Sequence, residues 1–261
     1  MFVPKSHTFV GMVHLLPLPG SPRWAGDVQA VLDAVRRDAA ALAEGGCDAI
    51  IVENMGDVPY LKSQVEPETV ALMARATALA IEVSGLPTGV QVLAGANRQA
   101  LGVAVASGAS FIRAEAFAYG HVADEGWLDA SAGPLLRARA NLRADVAIWA
   151  DVQKKHAAHA ITGDLNIEDL ARGAGFCGAD VLIVTGAETG DATPLGSVLS
   201  AQAADLPVAV GSGVTPRCAA SLASAADALI VGSWLKVDGD WRNRVDVDRV
   251  RALRAAIDGG A

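Results

Sequence analysis

The chain has 261 residues, of which 52% are hydrophobic and 19% charged, and a net charge of −8, with a mean hydropathy of +0.32. That length suits one domain able to bury most of its apolar surface, and the apolar excess suits strands covered on both faces by helices. No apolar run approaches the ~20 residues of a membrane-crossing helix, and the acidic balance excludes the clustered Lys and Arg of a nucleic-acid or anionic-membrane surface. Residues 1–9 hold a Pro, a Lys and a His instead of the apolar core of a secretory signal, so a cytoplasmic location is expected. Cys47, Cys177 and Cys218 are too widely spaced for a disulfide framework or a zinc cluster.

Taken in order, strand-like runs alternate with stretches of helical period. Strand 9–15 is followed by helix 28–44, strand 49–53 by helix 67–84, strand 89–93 by helix 97–107, and strand 111–115 by helix 134–141. Strand 146–152 then precedes helix 167–173, strand 181–185 helix 194–203, strand 208–211 helix 216–223, and strand 228–232 helix 247–257. Pro67, Pro134, Pro194 and Pro216 suit first helical turns, with Thr193 and Thr215 as N-caps.

The turns before the even-numbered strands share a grammar of two small residues, then Asp or Ser. They read Gly46-Cys47-Asp48, Gly108-Ala109-Ser110, Gly178-Ala179-Asp180 and Ala225-Ala226-Asp227. Before the third and seventh strands stand Gly85-Leu86-Pro87 and Asp205-Leu206-Pro207. A two-unit alternation suits a closed ring whose alternate strands feed alternate interior layers. No Gly-x-Gly-x-x-Gly follows the first strand, which argues against a doubly wound dinucleotide fold. The expected architecture is a single-domain α/β (β/α)8 TIM barrel, with residues 116–133 as a long loop over its mouth.

In such a barrel the chemistry sits at the C-terminal ends of the strands. The residues there are His14, Glu53, Asn54, Gln91, Arg113, Glu115, Asp151 and Thr185, with Lys154, Lys155, His156 and His159 just beyond the fifth strand and Glu188, Thr189 and Asp191 beyond the sixth. The last two strands end in Gly211-Ser212-Gly213 and Gly232-Ser233, where bare amides can hold a phosphate ester; the alternative is that these glycines only permit tight turns. Lys155, with Asp151 and Glu53, is a candidate for proton transfer or imine formation, because a lysine can lose its proton where an arginine cannot. The bland alternative is a solvated lysine pair. His14 and His156 are candidates to polarise substrate oxygens. Asn54, Gln91, Arg113, Glu115 and Thr185 are candidates for substrate contacts, and the carboxylates either tune one another or neutralise Arg113. No cofactor is required; a divalent metal on His156 and His159, paired on one face of a helix, is the weaker alternative, since a His-x-x-His pair needs a third ligand. Trp127, Trp234 and Trp241 are candidates for the interface of a homo-oligomer.

Several motifs together resemble the BtpA/SgcQ family. They are Gly11-Met12-Val13-His14-Leu15 with Pro17-Leu18-Pro19-Gly20-Ser21-Pro22, Glu53-Asn54 with Asp57 and Pro59, and Lys155-His156. The closing part adds Ala226-Asp227, Ile230-Val231-Gly232-Ser233, Lys236, Asp238-Gly239, Asn243, Val245-Asp246 and Arg249-Val250. Arg244 stands where the family often has Pro, and Ala157 where Ser is common. The resemblance implies a ribulose-phosphate-binding type of barrel and either of two roles. One is chemistry on a phosphorylated sugar or nucleoside-derived compound, by isomerase, lyase or glycosidic-bond chemistry. The other is a role in photosystem I biogenesis or stability. A phosphate-ester sensor without turnover is a third reading.

Overall fold

The computed structural model describes residues 1–186 and 193–259; Glu188, Thr189 and Asp191 lie outside them. The strands are β1 (Thr8–His14), β2 (Ala49–Glu53), β3 (Thr88–Gln91), β4 (Phe111–Ala114), β5 (His121–Ala123), β6 (Gly126–Leu128), β7 (Ala147–Asp151), β8 (Ala157–Ala158), β9 (Val181–Val184), β10 (Val208–Val210) and β11 (Ala228–Val231). The helices are α1 (Val28–Glu44), α2 (Pro67–Ser84), α3 (Asn97–Ser107), α4 (Ala132–Asn141), α5 (Ile167–Phe176), α6 (Leu195–Ala201), α7 (Pro216–Ala223) and α8 (Val247–Ile257). Eight strands close a parallel barrel in the order β1-β11-β10-β9-β7-β4-β3-β2, so β10 and β11 are its seventh and eighth staves. Each is followed by a helix that covers the outside, the expected TIM-barrel architecture.

The turn grammar has a physical cause that lies between strands. Asp48, just before β2, accepts the Phe9 N–H at the start of β1 (2.8 Å). Asp180 before β9 does the same for Ile148 of β7 (2.8 Å), and Asp227 before β11 for Val208 of β10 (2.9 Å). Each carboxylate satisfies a strand-start N–H at the barrel floor that would otherwise be orphaned. Ser110 before β4 instead donates to the Thr88 carbonyl (3.4 Å). The repeat therefore ties each even stave to the one before it, which is a more direct reason than alternating interior layers.

Inside the ring, Val10, Met12, Ala49, Ile51, Phe111, Ala147, Trp149, Val181, Ile183, Ala209, Ala228 and Ile230 form one apolar plug. Phe2 closes its lower end, stacked with Trp149 (centroids 6.0 Å) and accepting the Trp149 indole N–H at its carbonyl (3.1 Å). The remaining apolar residues of the strands face the helices in a second, larger layer.

Four details differ from the sequence-based expectations. Residues 116–133 are not wholly irregular: β5 and β6 form a hairpin whose free edge pairs with β8, giving a three-stranded sheet beside the barrel mouth. Its period was too short to register in a window that also holds Gly and Asp. Helix α4 begins at Ala132, so Pro134 sits two residues inside the first turn, and Pro194 is the residue preceding α6 instead of its first. Thr193 is not an N-cap; its hydroxyl donates to the Ser212 carbonyl (3.1 Å). Finally, Lys154 to His159 form no helix, because β8 occupies 157–158 and His156 adopts a positive φ of 56°.

Candidate active site

Side-chain alternation along the staves sets the site. Met12, Ile51, Phe111 and Trp149 point into the apolar plug, so His14, Glu53, Arg113 and Asp151, each two residues further on, make the next inward layer. Strand register places Glu53 beside both His14 and Gln91. Above this layer a cavity of about 470 Å³ opens. Its wall includes His14, Glu53, Gln91, Arg113, Glu115, Lys155, His156, Gly211, Ser212, Gly213, Gly232 and Ser233.

Other candidates sit elsewhere. Asp151 lies beneath the cavity, where it accepts from Arg113 Nε (3.2 Å to each oxygen) and Nη2 (3.0 Å) in a pair whose side chains are 5% and 2% exposed. The anionic partner fixes the guanidinium in its charged form. Asn54 is a brace: its amide donates to Asp57 (3.0 Å) while its Oδ1 accepts the Leu93 N–H (2.7 Å). Thr185 donates to the Gln153 carbonyl (3.3 Å). His159 is held by the Lys154 carbonyl (2.8 Å) and lies 5.3 Å, ring to ring, from His121. Among the described residues no group of three or more His, Cys, Asp or Glu is placed to hold a metal ion.

The lysine pair separates into two roles. Lys154 turns under the β5–β6 hairpin, where its ammonium donates to Glu125 (2.8 Å) and lies 3.9 Å from Glu115. Lys155 lines the cavity and has no carboxylate within 4.0 Å among the described residues. Burial and the neighbouring Arg113 charge lower its pKa, against the pull of Glu53 and Asp151. Burial raises the Glu53 pKa and brings that of Glu115 up to about 7. The His14 imidazole is lowered well below its usual range, first by burial and then by the charge of Lys236, and its Nε2 stands 3.5 Å from Glu53. The floor of the cavity is thus a set of groups whose charged forms are each disfavoured, the arrangement that lets protons be exchanged near neutrality.

The opposite wall is made of backbone. The N–H groups of Gly213, Val214, Ser233 and Trp234, all lining the cavity, have no acceptor among the described residues. Ser212 Oγ accepts the Gly186 N–H (2.7 Å) and fixes the turn after β10 to the one after β9. At Gly232 a Cβ would stand 2.9 Å from His14 Cε1, so only glycine leaves this turn open beside the imidazole.

Sequence reading missed several residues at the site. Tyr60 reaches the cavity from a segment without strand or helix period, its hydroxyl donating to the Met55 carbonyl (3.0 Å). Glu125 arrives on the hairpin. Lys236 is fully buried and bonded to Asp38 of α1 (3.2 Å); only the pairing of a distant Lys with an Asp in an otherwise apolar helix face hinted at it. Trp234 lines the cavity under the Arg249 guanidinium (4.6 Å), and Trp241 meets His14 edge-on (6.3 Å), so these two tryptophans serve the mouth of the barrel.

The family model described as the BtpA family matches residues 5–259. The chain belongs to the BtpA family. Other BtpA-like chains include a mitochondrial protein of Caenorhabditis elegans, 43% identical over 247 residues that span 92% of this chain and 89% of the relative. The photosystem I biogenesis protein BtpA of Synechocystis is 38% identical over 253 residues, covering 95% and 87%. Among solved structures the chain is similar in fold to 3-hexulose-6-phosphate synthase, with TM-score 0.59, 17% identity, and coverage of 96% and 99%. It is also similar to the N-(5′-phosphoribosyl)anthranilate isomerase of Pyrococcus furiosus, with TM-score 0.57, 14% identity, and coverage of 97% and 100%. No helix among the described residues is long and apolar enough to cross a membrane.

Proposed function

We propose that this BtpA-family barrel is an enzyme that binds a phosphorylated sugar or nucleoside-derived compound and moves a proton at the end remote from the phosphate. The observation that carries this reading is the polarity of the cavity: four backbone N–H groups without an acceptor among the described residues line its β10–β11 side, and the buried Glu53 and Glu115 with the half-buried Lys155 line the other. Backbone amides that lack an acceptor can hold a dianion, which suits a phosphate. Glu53, with its raised pKa, donates a proton as ligand charge develops, and Lys155 removes or stabilises one; His14, neutral at pH 7, hydrogen-bonds a substrate oxygen. Arg113, locked by Asp151, supplies a fixed positive charge that stabilises an enolate-like oxygen. The named activities of the two fold neighbours, one on a hexulose phosphate and one on a phosphoribosyl compound, support the ligand class.

The Synechocystis relative supports a second reading, assembly or stabilisation of a membrane complex by surface contacts. One experiment separates them: thermal shift and turnover over a panel of sugar phosphates, with Lys155→Met and Gly213→Asp. Gly213 has φ 69° and sits in the amide turn, so aspartate there adds both strain and a like charge. An enzyme loses turnover with the first substitution and ligand binding with the second. A scaffold tolerates both, and a sensor suffers only from the second. Absence of any shift with every phosphate ester, inorganic phosphate included, refutes the proposal.

A further inference from the structure

Three lysines reach the upper barrel, and the structure treats them differently. Lys154 is neutralised by Glu125 at 2.8 Å, and Lys236 by Asp38 at 3.2 Å. Lys155 has no such partner among the described residues, although like Lys154 it lines the cavity. The carboxylates around it are already committed: Asp151 grips Arg113, while Glu115 accepts the Gly95 N–H (2.9 Å) and faces Lys154. A desolvated ammonium beside a permanent guanidinium charge is relieved by losing its proton. The resulting amine is a nucleophile, not only a base.

We propose that Lys155 captures a phosphorylated aldehyde or ketone as an imine, with Glu53 as the proton donor and the amide turns after β10 and β11 as the phosphate anchor. The amine nitrogen adds to the carbonyl carbon, and the carbonyl oxygen becomes the carbinolamine hydroxyl after the nitrogen passes it one proton. The Glu53 carboxyl then protonates that hydroxyl, which leaves as water while the nitrogen lone pair forms the C=N bond. The product is a protonated imine on Lys155 beside a Glu53 carboxylate. Burial raises the Glu53 pKa and so favours the protonated carboxyl that this step uses. The iminium withdraws electrons from the neighbouring carbon, so a proton or a carbon–carbon bond there becomes labile. This narrows the ligand class to carbonyl-bearing phosphate esters and rests on the phosphate reading above.

The test is reductive trapping of the full chain with borohydride in the presence of dihydroxyacetone phosphate, glycolaldehyde phosphate or ribulose 5-phosphate, followed by peptide mapping. Borohydride supplies the hydride that converts the imine to a secondary amine, so the protein gains the mass of the carbonyl compound less one oxygen. The expected result is a single adduct on Lys155 with at least one of the three, absent from Lys155→Met at the same ligand concentration. Gly213→Asp should raise the concentration needed for half-labelling at least about tenfold for the phosphate ester, and inorganic phosphate should compete with labelling of the wild type by the phosphate ester and not with labelling by unphosphorylated dihydroxyacetone. No adduct with any probe, or adducts spread over other lysines, overturns the imine; if phosphate esters still raise the melting temperature, the phosphate reading survives it. Equal labelling of Lys155 by phosphorylated and unphosphorylated probes overturns the phosphate anchor and leaves the imine standing.

Discussion

Replacing Asp151 by Asn should destabilise the fold severely, and the buried ion pair sets the size of the effect. Arg113 and Asp151 are 5% and 2% exposed, and three contacts of 3.0–3.2 Å join them. An amide keeps the shape but removes the charge, and arginine cannot shed its proton in compensation. Removing one partner of a buried pair costs about 3–5 kcal/mol. Glu53 and Glu115 also face this guanidinium and hold its pKa up, so the low end of that range, about 3 kcal/mol, is expected. At about 2–4 °C per kcal/mol for a domain approaching this size, the melting temperature should fall by roughly 6–12 °C. Urea unfolding of wild type, Asp151→Asn and the double variant Arg113→Met/Asp151→Leu measures this directly. The double variant should recover most of the loss, because it leaves no buried charge behind. A single variant within about 1 kcal/mol of wild type, with an unchanged m-value, would show that solvent or another carboxylate serves Arg113 equally well and would refute the reasoning.

Glu115 makes stability depend on pH with a defined sign. Its folded pKa, about 7, lies above the ordinary 4.5, so between those values the folded state holds more protons and stability falls as pH rises. The penalty, fully developed above pH 7, is about 3 kcal/mol; in urea unfolding from pH 4 to 8 the wild type should lose stability relative to Glu115→Gln across that window, and a flat difference would contradict it. His121 acts oppositely, because burial first and His159 second lower its pKa to about 4. Acidification from about 6.5 to 4 should weaken the fold, and the dependence should diminish in His121→Gln. Glu125→Gln removes the partner of Lys154 and should release the β5–β6 hairpin, seen as faster amide exchange over 121–128 with β1 to β3 unchanged; equal protection would mean that strand pairing alone holds it. Gly232→Ala places a methyl 2.9 Å from His14 Cε1. Overpacking there should cost about 1–3 kcal/mol and weaken binding of inorganic phosphate in a thermal-shift titration, and unaltered phosphate binding would remove this turn from the proposed anchor.

Much of the fold was legible in the chain because it depends on local period. The bounds of α1, α2, α3, α7 and α8 follow from apolar spacing, with Pro67 and Pro216 opening α2 and α7 and Gly85 and Gly108 closing α2 and α3, and their place at C-terminal strand ends already gathered His14, Glu53, Gln91 and Arg113 at one mouth. The hairpin was not legible, since three-residue strands carry too little period and gain their stability from β8, whose Ala157 and Ala158 pair with Ala123 and Val122, 34 and 36 residues earlier in the chain. Nor could the chain alone divide two adjacent lysines. Lys154 and Lys155 are chemically identical and differ only in which carboxylates the closed barrel brings to them, Glu125 from the hairpin in one case and none within ion-pair distance among the described residues in the other. The same holds for Asp151, which by strand position belonged to the reacting set and by packing became the counter-ion of Arg113. Period and turn chemistry are properties of neighbours in sequence, so one chain determines them; proton affinity depends on desolvation and on charges contributed by remote segments, and only ring closure fixes those distances.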